Sequence, residues 1–158
     1  MAKIRPETLT ADPGRDVVVF MIGMRINSLW AVRQWFPVMR AMPRMIREIK
    51  RDRDIGCADI RSYVSGRTVM TVQYWDTPEQ LIAYATASDH RHRPAWSDFN
   101  RRCAGTTKVG IFHETYVVPA NRLETLYRGM PAFGLGRATE SLVPVVKRGV
   151  TASQRLSH

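Results

Sequence analysis

A chain of 158 residues with 44% apolar side chains and all three aromatic types is long enough for one domain with its own hydrophobic core, which excludes a disordered or low-complexity protein. The net charge of +10 comes mostly from arginines spread along the chain, with no lysine-rich arm and no nucleic-acid motif, so it reads as a solvated surface rather than a nucleic-acid interface. Cys57 and Cys103 lie far apart and match no metal-ligand spacing, and the longest apolar run, Val17 to Met24, is too short to span a bilayer. Met1 to Asp16 contains no apolar stretch of the secretory kind, so a reduced cytoplasmic protein with no membrane partner is expected.

Residues 1–16 form a polar arm closed by the turn signal Asp12-Pro13-Gly14. Val17 to Ile26 is a strand whose two faces are both apolar: Val18, Phe20, Ile22, Met24 and Ile26 on one, Val17, Val19, Met21 and Gly23 with Arg25 on the other. A strand of that kind is covered on both sides, by helices on one and by a second sheet on the other. A helix follows within Ser28 to Arg51. Trp35, Met39, Met42, Ile46 and Ile49 make its apolar stripe, and Arg33, Arg40, Arg44, Arg47 and Arg51 make an opposite stripe read as solvated. Pro43 falls inside this helix and is expected to kink it.

Cys57 to Ser65 and Arg67 to Trp75 read as strands joined by a tight turn at Ser65-Gly66. Thr77-Pro78-Glu79-Gln80 then announces a helix, with Thr77 as cap, Pro78 at the first helical position, and Leu81, Tyr84, Ala85 and Ser88 on the buried side. After a break, a second helical stretch carries Trp96, Phe99 and Cys103 on one face, and Thr107 to Val118 is the last strand of the set. The order is β-α-β-β-α-β, an α+β, ferredoxin-like arrangement of a four-stranded antiparallel sheet with its helices on one face. Two such sheets packed face to face would cover the remaining apolar face, giving a homodimer, a dimeric α+β barrel. The domain runs over residues 17–136. A short helix is expected within Asn121 to Arg128, a loop over Gly129 to Gly136, and a basic tail over 137–158 that either wraps the dimer or stays loose.

Candidate chemistry gathers on histidines. His90 and His92 stand in Asp89-His90-Arg91-His92-Arg93, and His92 shares the face of Trp96 if the helix reaches back to it. A histidine there suits a general base or a haem ligand, and equally suits a helix cap. His113 and Glu114 are strand neighbours and point to opposite faces, one of them expected to be buried. No second histidine follows at helical spacing, so the pair is no zinc motif. Trp75, Tyr84, Trp96, Phe99 and Phe133 could line an aromatic pocket or serve as plain core.

The segment Gln73-Tyr74-Trp75-Asp76-Thr77-Pro78-Glu79-Gln80-Leu81, continuing to Ser88-Asp89-His90, resembles the antibiotic-biosynthesis monooxygenase group. Val19 to Asn27, Ala95-Trp96 through Phe99-Asn100-Arg101, Gly110 to Tyr116, and Met130-Pro131-Ala132-Phe133-Gly134-Leu135 are similar to a narrower family within it, named for a monooxygenase-like protein of fumagillin biosynthesis. The resemblance covers roughly residues 15 to 136. It implies a dimeric barrel with a small-molecule pocket between sheet and helices in each subunit. It also implies either cofactor-free oxygenation of phenolic or enolic substrates, or haem chemistry of the haem-degrading or aldoxime-dehydratase kind. On the first, His92 or His90 is the base, with Trp75, Asn27 and Arg25 positioning the substrate and Tyr84, Trp96, Phe99, His113 and Phe133 around it. On the second, His90, His92 or His113 holds the haem iron. Tyr84 stands where many members of the group have a histidine, a departure from haem ligation of their kind. A non-catalytic ligand-binding dimer is the third reading.

Overall fold

The computed structural model describes residues 3–87, 101 and 105–157. The turn with His90 and His92 and the helical stretch with Trp96, Phe99 and Cys103 lie outside them. Strands β1 (Arg5–Ala11), β2 (Val17–Ile26), β3 (Cys57–Ser65), β4 (Thr68–Trp75), β5 (Val109–Val118), β6 (Tyr127–Met130) and β7 (Leu142–Pro144) are accompanied by helices α1 (Val32–Arg51) and α2 (Pro78–Thr86). One sheet has the antiparallel order β3-β4-β2-β5, with β2 central. That is the expected ferredoxin-like α+β topology.

β2 is central because it has no polar face. Its even-numbered side packs on the helices in two clusters. Val18, Ile60, Trp75, Leu81, Tyr84 and Ile49 make one, and Met24, Ile26 and Val109 with Trp35, Val38 and Met39 make the other. α1 contributes Trp35 and Met39 to the second and Ile46 and Ile49 to the first, along the stripe its spacing predicts. It runs unbroken through Pro37 and Pro43. The Arg33, Arg40, Arg44, Arg47 and Arg51 stripe is exposed. At α2, the Thr77 side chain accepts a hydrogen bond from the Gln80 amide and Pro78 opens the helix. Leu81 and Tyr84 are buried as expected, whereas Ala85 is exposed.

A register shift between Cys57 and Asp59 inserts one extra residue in β3. The bulge re-phases the strand, so that Cys57 and Ile60 pack on the helix side while Asp59 pairs with Tyr74 on the opposite face.

Residues that read as an arm and a tail, β1 and β7, instead join β6 from the end of the predicted domain in a second sheet of order β6-β1-β7. Only Leu9 and Ala11 are apolar at the buried end of β1, so its sequence carries little strand signal, and burial comes from partners more than a hundred residues away. Thr10 is fully buried, with its hydroxyl bonded to that of Thr125. The predicted helix over Asn121 to Arg128 is replaced by a 3-10 turn at Ala120–Arg122 and the start of β6, and the predicted loop contains a short helix at Gly134–Ala138. Ala11, Val17, Leu123 and Leu135 join Val19, Tyr74, Val118 and Tyr127 in a third core. One end of the outer face of the main sheet is therefore covered by the chain itself.

Candidate functional site

The helix-facing side of the main sheet carries a polar ladder on β4. Trp75 Nε1 donates to Gln73 Oε1 at 3.0 Å, and Gln73 Nε2 donates to Thr71 Oγ1 at 3.1 Å. All three side chains are buried, and strand alternation puts positions 71, 73 and 75 on one face. The Trp75 N–H is thus already engaged, and its ring, 5.5 Å from that of Tyr84, is packed in the core. Burial, and then the nearby Glu48 carboxylate, push the Tyr84 phenol well above the usual tyrosine range, so it stays protonated and able to donate a hydrogen bond.

Across β2, register aligns Thr71 with Ile22 and His113, and Gln73 with Phe20 and Thr115. His113 is exposed on this same face, its ring 6.1 Å from that of Phe20. Thr71 and His113 sit two strands apart, roughly 10 Å at ordinary strand spacing. An apolar floor of Phe20 and Ile22 lies between them, flanked by the two helix-packed cores.

Strand phase separates the other sequence candidates. Arg25 lies on the opposite face from Trp75, aligned with Thr68 and Gly110. Asn27, just past β2, donates from Nδ2 to the Thr107 carbonyl at 2.7 Å and accepts at its own carbonyl from Arg67, so it ties the β2–α1 connection to the approach to β5. Phe133 also lies across the sheet, with the Arg61 guanidinium 4.2 Å from its ring centroid. There it borders an open cleft of about 410 Å³ with Lys50, Asp59, Tyr63 and Arg137. The buried Asp59 carboxylate of that cleft accepts from Arg61 at 3.1 Å and faces Arg137 at 3.6 Å. His90, His92, Trp96 and Phe99 fall outside the described residues. His113 and Glu114 do point to opposite faces, but both are exposed rather than one being buried. Glu114 instead accepts a hydrogen bond from Tyr116, which raises the Tyr116 phenol above its usual range.

Gln73 and Thr71 were not singled out by sequence reasoning. Their signal is a pair of polar residues at alternate positions leading to a strand-end tryptophan on an otherwise apolar face, which demands mutual hydrogen bonding. Among the described residues no group of three His, Cys, Asp or Glu could hold a metal ion. For a haem, the described residues offer His113 and the apolar Phe20 and Ile22, while Arg25 is turned away from them.

Solved structures share this fold. An aldoxime dehydratase aligns with a TM-score of 0.66 and 15% identity over 82% of this chain and 39% of its own. The aldoxime dehydratase OxdRE, in complex with butyraldoxime, aligns with a TM-score of 0.70 and 14% identity over 88% of this chain and 41% of its own. At such identities the likeness is one of fold. Monooxygenase af470 of Aspergillus fumigatus is 27% identical over 155 residues, 85% of this chain and 54% of that protein. The chain thus spans about half the length of this curated relative. The family described as Monooxygenase af470-like matches residues 17–135, which include all of the main sheet and both long helices. The chain belongs to the Monooxygenase af470-like family.

Proposed function

We propose that this protein is a small-molecule monooxygenase of the cofactor-independent kind, working on the helix-facing side of its main sheet. The reading rests on family membership and on one geometric observation: the buried Thr71-Gln73-Trp75 ladder and His113 face the same apolar floor. The substrate is a flat phenol or enol whose acidic C–H or O–H is lost to a histidine, His113 or one of the His90 and His92 pair. The resulting carbanion gives its electrons to dioxygen. One oxygen atom becomes a new substrate carbonyl and the other leaves as water, so a CH2 group and O2 become C=O and H2O. Thr71 and Gln73 fix the floor, Tyr84 donates to developing negative charge, and Trp75 excludes water.

The outer face of the sheet supports a second part of the reading, a homodimer. Beyond the end covered by the chain's own second sheet, Met21, Met70, Val72 and Phe112 stand beside Tyr63, which is 40% exposed, with Arg61 and Glu114 on the same face. Gly23 keeps this surface flat: a Cβ there would sit 2.8 Å from the Phe112 ring.

Oxygen uptake by the purified protein with polycyclic phenols and enols tests the activity. Replacing His113 by alanine is expected to slow uptake by about 10²-fold or more, the ordinary weight of a general base. Unchanged uptake would move the base to His90 or His92. A saturable Soret band on haem titration, lost in a histidine variant, would replace the cofactor-free reading with a haem one.

A further inference from the structure

The loop that leads into α1 presents apolar side chains to solvent. Trp30 is 95% exposed, and Leu29, Val32 and Phe36 are 54%, 47% and 50% exposed. These side chains are held in place. Trp35 Nε1 donates to the Leu29 carbonyl at 3.1 Å, the Ala31 amide donates to the Ser28 carbonyl, and the Phe36 ring meets that of Trp35 edge-on at 6.0 Å. With Trp35 itself packed on the Met24 core, the Leu29 and Trp30 side chains are directed outward by a fixed turn.

Arg33 follows Trp30 by three residues and precedes Phe36 by three, and from it the exposed face of α1 continues through Arg40, Arg44, Arg47 and Arg51. The helix holds Arg33, Arg40, Arg44, Arg47, Lys50 and Arg51 against the single carboxylate Glu48. Among the described residues no ion pair engages Arg33, Arg40, Arg44 or Arg51. A 20-residue helix is about 30 Å long, so this is an extended cationic stripe ending in an aromatic and aliphatic tip.

We propose that this face docks on an anionic lipid bilayer, with Leu29, Trp30, Val32 and Phe36 in the headgroup layer and the arginine stripe against lipid phosphates. The cations match an anionic surface, and the tip requires an apolar phase beneath it, which the phosphate backbone of a nucleic acid does not offer. No helix among the described residues is long and apolar enough to cross a membrane, and the proposed contact is a peripheral one. Ile46 and Ile49 of α1 belong to the core that Phe20 borders, so docking would bring this side of the sheet near a phase that dissolves flat apolar substrates. The docking itself does not depend on the proposed reaction.

Co-sedimentation of the full chain with phosphatidylcholine vesicles, with and without phosphatidylglycerol, tests this. Binding is expected only with phosphatidylglycerol, and is expected to weaken as salt is raised. Each Arg→Gln change among Arg33, Arg40 and Arg44 should weaken it by about fivefold. Leu29→Ser with Trp30→Ser should weaken it by roughly tenfold or more, since both side chains lose an apolar phase. Both sets of substitutions are on the surface, and circular dichroism checks that the fold is kept. Equal sedimentation with both vesicle types, none with either, or no loss in the Leu29/Trp30 variant overturns the proposal. So does a dimer-to-monomer change on size exclusion in that variant, which would make the tip a self-contact. Binding to a DNA duplex but not to vesicles would make the stripe a nucleic-acid surface.

Discussion

Gln73 uses both ends of its amide inside the core, accepting from Trp75 and donating to Thr71. Gln73→Leu keeps the volume but leaves the buried indole N–H and the Thr71 hydroxyl without this partner, which should cost about 1–3 kcal/mol of stability in urea unfolding. A variant as stable as the parent would mean that the ladder is dispensable to the fold. Cys57 shows how burial and charge act together. Burial first, then Asp59 and Asp76, push its thiol from 9.0 up to about 12. The folded state keeps the proton that the unfolded chain loses, so Cys57 costs no stability below pH 9 and lowers it as pH rises from 9.0 toward about 12. In a Cys103→Ser background, Cys57 should react with a disulfide reagent at pH 8 many times more slowly in the native than in the unfolded protein. Equal rates would mean that the thiol is open and ionised in the fold.

At the scale of elements, the β6-β1-β7 sheet is too small to stand alone; Arg148 ties it to the end of the chain, and Arg155 ties that end to Glu124. Arg148 is buried and donates to the Ala11 carbonyl at 2.8 Å. Arg155, 3% exposed, donates to the Gly149 and Val150 carbonyls and pairs with Glu124. Replacing Arg155 by methionine removes the charge and three acceptors' partner at once, and should cost about 3 kcal/mol by denaturant midpoint. Restoration of part of that loss by adding Glu124→Gln would identify the stranded carboxylate as one source of the cost. These arginines explain why residues 137–158 read as a basic tail that either wraps the dimer or stays loose. A sequence shows charge, but not the carbonyls and the carboxylate from distant segments that allow an arginine to be buried. The main sheet was far more legible, because β2 through β4 declare themselves by alternation and by the Ser65-Gly66 turn. The bulge at Cys57 to Asp59 was not, since an extra residue in a polar-flanked strand leaves the local pattern nearly unchanged.

For the whole molecule, the proposed homodimer rests on the outer face of the main sheet. Met70→Glu would place a charge among Tyr63, Gly23 and Phe112, in the middle of the face proposed to meet a second copy. Light scattering on a size-exclusion column is expected to give twice the chain mass for the parent and the single-chain mass for the variant, with unchanged circular dichroism. A monomeric parent would remove the dimer and leave that face to another partner.

The sequence by itself determined the α+β topology, the two-sided apolar character of β2, the exposed arginine stripe of α1 and the capped start of α2. Each of these is written in local periodicity or in a few adjacent residues. It also placed Tyr84 on the buried side of α2. Only the tertiary structure decided which candidates meet. Strand register put Thr71, Gln73 and His113 on one floor and sent Arg25 and Phe133 to the other side, although simple alternation already set Arg25 apart from Phe20 and Ile22. The second sheet was decided there too, because its stability comes from pairing between residues 5–11 and 127–144, and no local pattern records a contact across that distance.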